Sequence, residues 1–305
     1  MFNNIKNRTI DFVGNKKAYF AVPAVLLALT IVFLVFFGLD VDIQFKGGSM
    51  ITYSYENESD ISDVKSVIEG KIGNVTLQES SDSVVGTNKI IVSSSTNIST
   101  EQLSELNEIL EKDFGVKYVE SSTVDPTIGT EFLLKSLLAV AFASVLIIIF
   151  IGFRFKNIGG WSAGSMAIVA LVQDLFVVFA SFVIFRFPLD MNFIAVVLTI
   201  LGYSVNDTIV IYDRIRENTK KFGKAKSVRE IVNLSANECL TRSVRTTTTT
   251  VVSMIVVSVV AVIFDVTSIL SFSIPMTFGM ISGAFSSLCI TLPLWVMWKE
   301  RKKSK

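Results

Sequence analysis

The feature that most narrows the fold is a set of long apolar runs. Six segments of the 305-residue chain, at about 18–38, 132–153, 161–185, 189–212, 246–264 and 268–297, each approach the ~20 residues a helix needs to cross a bilayer. Their spacing is uneven: one run, a polar stretch of roughly 90 residues, then five runs in close succession. Charged residues make up 18 %, below the ~25 % of soluble domains, and mean hydropathy is +0.56. The expected architecture is an all-α membrane bundle of six transmembrane helices. The first run, roughly 21 residues, is longer than the ~7–15 of a signal-peptide core, and no small-x-small cleavage pattern follows, so it reads as a retained helix.

Lys and Arg in short loops set the orientation. Lys6, Arg8, Lys16 and Lys17 precede helix 1; Arg154 and Lys156 separate helices 2 and 3; the 214–229 stretch separates helices 4 and 5; KERKKSK follows helix 6. If all six runs span, these groups share one side. The expectation is a multi-pass protein of the cytoplasmic membrane, with a cytoplasmic N-terminus (1–17) and a basic cytoplasmic tail (299–305). The opposite side carries segment 39–130 and the short turns FRFPLD and FDVTS.

Segment 39–130 reads as an extracytoplasmic α+β domain, and 131–298 as a five-helix membrane domain. SMITYSY, NVTLQES, NKIIVSS and VKYVESSTV are strand-like. Ser62 to Gly70 looks like a short helix ending at a glycine cap. STEQLSELNEILEKDFG is an amphipathic helix with Ser99 or Thr100 as N-cap and Gly115 past its end. The order β-α-β-β-α-β matches a ferredoxin-like sheet.

There is no histidine, so a His-based zinc site and a Ser-His-Asp triad are excluded. No phosphate-binding loop or metal-ligand spacing is present, and no cofactor, nucleic-acid partner or enzymatic activity is expected. Cys239, placed in a cytoplasmic loop, and Cys289, in a membrane helix, are not a disulfide pair. Gly47-Gly48 is a turn signal. The ionisable residues inside apolar runs carry the functional reading, since charge there is costly and faces the bundle interior. Helix 4 holds Tyr203, Asn206, Asp207, Asp213 and Arg214 near one face, with Gly202 admitting a close neighbour. Helix 3 holds Asp174 beyond a small-residue face of Gly160, Gly164, Ala167 and Ala170. Helix 5 opens TRSVRTTTTTVVS, with Arg242, Thr246, Thr249 and Ser253 on one face; such hydroxyls bond back to the helix or line a wet path. Helix 6 carries Pro275, Gly279, Gly283 and Ser286, a small-residue face with a kink. Two carboxylates and a guanidinium on adjacent helices can exchange partners and load and release an ion.

Three stretches, GYSVNDTIVIYDRIREN (202–218), LDVDIQFKGGS and LTRSVRTTTTT, together with the single long loop after helix 1, resemble the SecF family. These are subunits of the SecD–SecF accessory complex of the bacterial Sec translocon, and the likeness covers essentially the whole chain. The resemblance implies a resistance-nodulation-division type of membrane protein. It would use the proton-motive force, or sodium, with a SecD-like subunit and the SecYEG translocon to pull translocating polypeptides outward. It puts the family's helix-4 aspartate on Asp207, its helix-5 arginine on Arg242 and its helix-3 aspartate on Asp174. Two positions depart: Gln44-Phe45 stands where the family has Asp-Phe, and Gln173 where a His often precedes the helix-3 aspartate. Water or Asp174 itself would then have to carry the proton.

The implied site is Asp207 as ion-coupling carboxylate, Arg242 as its switching partner and Asp174 as second acid, supported by Asn206, Tyr203, Asp213 and Thr246. The rival functions are a passive scaffold of the translocon, for which neutralising Asp207 is harmless, and a small-molecule efflux protein. Efflux predicts a larger outer domain and a second membrane half in the same chain. An intramembrane protease would need a GxGD motif or a Ser-His dyad, and neither is present.

Overall fold

The computed structural model describes residues 10–55, 61–73, 75–82, 87–94, 96–223, 225–264 and 266–303. Lys6, Arg8, Lys224, Asp265 of the FDVTS turn and the last two residues of the basic tail lie outside them. In chain order the elements are α1 (Lys16–Phe37), α2 (Ile43–Lys46), β1 (Gly48–Tyr55), α3 (Ile61–Ile72), β2 (Val75–Asp82), β3 (Thr87–Ser94), α4 (Thr100–Phe114) and β4 (Lys117–Val124). There follow α5 (Pro126–Arg154), α6 (Gly160–Phe185), α7 (Met191–Phe222), α8 (Val228–Ile263), α9 (Thr267–Ser286) and α10 (Leu292–Lys303). A π turn at Ser287–Thr291 joins α9 and α10 into one rod, so among the described residues six helical spans are long and apolar enough to cross a membrane.

The strands form one sheet in the order β2-β3-β1-β4, every neighbour antiparallel. Ile51 and Tyr53 of β1 and Ile90 and Val92 of β3 pack against Val64 and Ile68 of α3 and Leu106 and Leu110 of α4. The Ser99 side chain caps α4 and Gln102 returns the bond to its backbone, a capping box, while Gly115 takes the left-handed conformation at the other end. Helix α3 does not stop at Gly70. It runs to Ile72, and the residue with the positive φ is Gly73.

Backbones cross closely where this domain meets the bundle. A Cβ on Gly47 would lie 2.4 Å from Pro126 Cα, and one on Gly129 3.0 Å from Gly47 N. The Gly47-Gly48 pair is therefore a packing requirement as well as a turn. Phe45 stacks on Phe132, with centroids 5.8 Å apart. The linker also pairs with the α6–α7 turn, Asp42 N donating to Leu189 O (3.1 Å) and Leu189 N to Asp40 O (3.0 Å).

The small-residue faces pack as expected. A Cβ on Gly160 would meet Gly152 O of α5 at 2.3 Å, and one on Gly279 would meet Ile200 of α7 at 2.7 Å. Gly202 does not behave as expected: nothing lies within 4 Å of its Cβ position. Helix α9 runs through Pro275, and a π turn follows at Ser287–Thr291.

The largest correction concerns the basic 214–229 stretch, expected as a loop with helix 5 starting at 246. It is mostly helix: α7 continues to Phe222, and α8 starts at Val228 behind a Ser227–Glu230 capping box. Arg214 bridges Glu217 and Glu238, Lys221 pairs with Glu217, and buried Asn218 donates to Ser235 Oγ and Glu238 Oε2. These polar contacts let both helices continue past the end of their apolar windows. Cys239 is thus a buried residue of α8, not of a loop.

The N-terminal segment is clasped to this extension. Ile10 N and O bond the Asn237 side chain, both at 2.9 Å. Asp11 accepts from Gly14 N (2.8 Å) and Asn233 Nδ2 (2.7 Å) and pairs with Arg229 at 3.2 Å. Phe12 and Val13 are buried in the bundle core.

Candidate functional site

Asp174 is fully buried at 0 % exposure, on the face of α6 turned towards α7 and α9. Three hydroxyls donate to its carboxylate: Ser204 of α7 to Oδ2 (2.6 Å), Ser282 of α9 to Oδ1 (2.6 Å) and Ser286 to Oδ2 (2.8 Å). Gln173 Nε2 donates to Ser282 Oγ at 3.2 Å, so the amide supports the second of these bonds. No Lys or Arg lies within ion-pair distance among the described residues. A buried carboxylate held by hydroxyls alone is stabilised as the anion by donated bonds, not by countercharge.

The donor count shows how this cage can take a proton. A protonated Asp174 gains an O–H that needs an acceptor. Ser286 Oγ also lies 3.2 Å from Gly283 O. If its hydroxyl turns to that carbonyl, its lone pairs face Asp174 Oδ2. For Ser204 and Ser282, Asp174 is the only acceptor among the described residues. Sequence reasoning counted Ser286 as a packing residue and missed Ser204 and Ser282. The signal available was serine in the small positions of helices facing an intramembrane aspartate.

Asp207 sits in a different setting. It is half-buried on the α7 face towards α8, and Ser243 Oγ donates to its Oδ2 at 2.5 Å. Tyr203, one turn away, shares a 2.7 Å hydrogen bond with Thr250 across the same seam. Thr208 turns to α9 and bonds Ser287 at 2.9 Å. The expected partner Arg242 is exposed and forms no ion pair among the described residues; the side chain that meets Asp207 is the next residue, Ser243. Of the supporting residues, Asn206 is exposed. Asp213 is at the basic end of the bundle, 2.6 Å from Arg216 and 3.6 Å from Arg154. Thr246 donates to Arg242 O at 2.9 Å, and Thr248, Thr249 and Ser253 likewise bond carbonyls of their own helix. Most of the threonine run thus bonds its own helix, Thr250 also reaching Tyr203, while the buried Thr247 hydroxyl has no partner among the described residues. The structure brings Asp207 and Tyr203 to one seam, Asp174 to another, and leaves Arg242 and Asn206 open. Among the described residues no group of three or more His, Cys, Asp or Glu side chains is placed to hold a metal ion.

Comparison with known proteins gives concordant matches. Residues 105–301 match the family described as "Protein export membrane protein SecD/SecF, C-terminal". A protein translocase subunit SecF from Alicyclobacillus acidocaldarius is 30 % identical over 97 % of this chain and 94 % of its own length. One from Rickettsia prowazekii is 31 % identical over 97 % and 93 %. The protein translocase subunit SecDF of Bacillus subtilis is 33 % identical over 97 % of this chain, which spans only 39 % of that longer protein. Among solved structures, SecDF from Thermus thermophilus, described as a translocon-associated membrane protein, superposes with a TM-score of 0.80 at 27 % identity, over 97 % of this chain and 39 % of that one. A super-membrane-facing form of SecDF gives 0.67 at the same 27 % identity, over 98 % and 40 %.

Proposed function

The chain belongs to the SecD/SecF family of protein-export membrane proteins, and from that membership we propose that it is an ion-coupled subunit that works with a SecD-like partner and the SecYEG translocon. It uses the proton-motive force, or sodium, to promote late-stage movement of polypeptides across the cytoplasmic membrane. Both termini are cytoplasmic, and the ferredoxin-like domain of 39–130 is extracytoplasmic, where it contacts the emerging chain. Fusion of the two subunits in SecDF relatives supports a SecD partner. One of the two SecDF structures is described as a super-membrane-facing form, which suits a working cycle.

The observation that carries the reading is Asp207. A carboxylate part-way along a membrane helix, held by one hydroxyl and reachable from an open side, is costly unless it is used. Ser243 can donate to the ionised acid or accept from the protonated one. Arg242, one residue before it, is free to approach when the seam rearranges. Asp174 is the second acid. Its O–O separations of 2.6–2.8 Å are those of hydrogen bonds between oxygens.

The test is export in cells depleted of the protein and supplied with wild type, Asp207→Asn or Ser243→Ala at equal levels, followed by pulse-chase of a slowly maturing secreted protein. The expected result is that Asp207→Asn assembles with its partner yet loses most of the stimulation, while Ser243→Ala keeps part of it. Full restoration by Asp207→Asn would favour the passive scaffold. Replacing sodium by potassium in the medium identifies the ion.

A further inference from the structure

All 3 tryptophans of the chain, Trp161, Trp295 and Trp298, gather at the basic end of the bundle. Here an open cavity of about 600 Å³ lies between the α5–α6 turn and α10. Its walls include Lys156, Lys299, Lys302, Glu300 and the exposed rings of Trp161 and Trp298. The electrostatics of this cavity are unbalanced. Helix α6 starts at Gly160 with no side-chain cap bond among the described residues, so the positive end of its 26-residue dipole is not neutralised by a cap. Against that end stands another positive group: Lys299 Nζ is 3.4 Å from the position a Cβ on Gly159 would take. Lys299 lies over the Trp295 ring at 4.9 Å. Among the described residues, none of the three lysines makes an ion pair, and neither does Glu300. A cation parked on the positive end of a helix, with two more cations around it, asks for an anion.

The size and walls say which anion. Its volume is within the ~300–1,000 Å³ of small-molecule sites. Tryptophans exposed at the end of apolar spans belong to the membrane–water interface, where phospholipid headgroups lie. We propose that this cavity binds the phosphodiester headgroup of an anionic phospholipid, with Lys156, Lys299 and Lys302 meeting its charge, the α6 amides donating to its oxygens, and Trp161 and Trp298 flanking its glycerol and upper acyl chain. The site is independent of the ion-coupling reading, and needs only that the chain sits in a membrane.

Trp161 and Trp298 line the cavity and Trp295 lies under Lys299, so tryptophan emission excited away from the 6 tyrosines reports this end of the bundle. The full chain is placed in phosphatidylcholine nanodiscs carrying a small, equal fraction of either phosphatidylglycerol or phosphatidylcholine with brominated acyl chains, which quench nearby tryptophan. The expected result is about twofold or greater quenching by the anionic lipid, since basic residues near the membrane surface attract anionic headgroups. The preference disappears in the combined Lys156→Gln, Lys299→Gln, Lys302→Gln variant. It persists in Lys220→Gln, Lys221→Gln, which removes charge from the end of α7 instead. Excess inorganic phosphate leaves it unchanged. Equal quenching in the wild type overturns the proposal, as does a preference that survives the first variant or is lost in the second. Loss in inorganic phosphate would assign the cavity to the free anion instead. Should the triple variant not fold, Lys299→Gln alone is expected to halve the preference, and an unchanged preference there overturns the proposal equally.

Discussion

Two seams meet on α7, and they hold the same chemical group in opposite ways. Towards α6 and α9, Asp174 is sealed at 0 % exposure and takes three hydroxyl donors. Towards α8, Asp207 is half-buried and takes one, from Ser243, with Arg242 and Asn206 left open nearby. Glycines deepen the contrast. On the sealed side Gly279 and Gly283 bring α9 against Ile200 and Ser204, whereas Gly202 of α7 meets nothing within 4 Å. One seam is built as a core and the other as a joint. A carboxylate in a core contributes by being fully satisfied, and one in a joint by being able to change partner.

The comparison breaks if the two acids prove equal in stability. Asp174→Val removes the acceptor of three buried hydroxyls and is expected to destabilise the detergent-solubilised protein by about 3 kcal/mol. Asp207→Val strands one hydroxyl at a wetter place and should cost about 1 kcal/mol or less. Thermal unfolding followed by accessibility of the buried Cys289 measures both, and equal losses would show that the α7–α8 seam is as closed as the other.

Glycine substitutions sharpen the same contrast without touching charge. Gly279→Ala drives a methyl to 2.7 Å from Ile200 and 2.9 Å from Val178, and is expected to cost about 1–3 kcal/mol. Gly202→Ala enters open space in a helix, and is expected to be neutral or to stabilise by up to about 1 kcal/mol. If Gly202→Ala instead destabilises or blocks export with the fold intact, the joint closes on that glycine during its cycle.

The sequence made the helices legible and their seams only partly so. Apolar runs fixed six spans, and the small-residue faces of α6 and α9 announced real contacts. The register of Gly160, Gly164 and Ala167 is set by a period of 3.6, which needs no knowledge of the partner. What failed was reading polarity as loop. The 214–229 stretch is polar because it has left the apolar layer, yet its Glu–Arg pairs and the Ser227 cap keep it helical. Asp207 and Asp174 stood out because charge is rare in such runs, but their partners did not. Ser204, Ser243 and Ser282 are common small residues, and only the packing of separate helices shows which hydroxyl meets which acid. Pairing Asp207 with Arg242 followed from charge, and proximity instead favoured the less conspicuous neighbour.

Both seams depend on where α7 begins, and the two ends of the molecule respond to acid in opposite senses. At the domain end Asp190 caps α7, and Asp42 caps α2 in the linker paired with Leu189. Burial raises both carboxyls above their ordinary 3.8; Asp42 adds to the rise at Asp190 and Asp40 to that at Asp42, while backbone donors and, for Asp42, Lys46 oppose it. At the opposite end Asp11 of the N-terminal clasp is lowered, chiefly by the Gly14 amide, with Asn233 and Arg229 helping. A raised carboxyl stabilises the folded form fully below 3.8, and that contribution is lost as pH rises through its folded value. A lowered one stabilises above 3.8 and is lost as pH falls through its folded value. Hydrogen-exchange protection at Asp42 and Leu189 is therefore expected to fall modestly as pH rises from about 3.8, and protection at Gly14 to fall on acidification below it. Combining Asp42→Asn with Asp190→Asn should flatten the first profile and leave the second. Acid on the domain side would then tighten the joint between domain and bundle while the clasp at the other end stays closed. Parallel profiles at the two ends would remove that asymmetry, and with it the idea that α7 is held more firmly from one side when protons are abundant there.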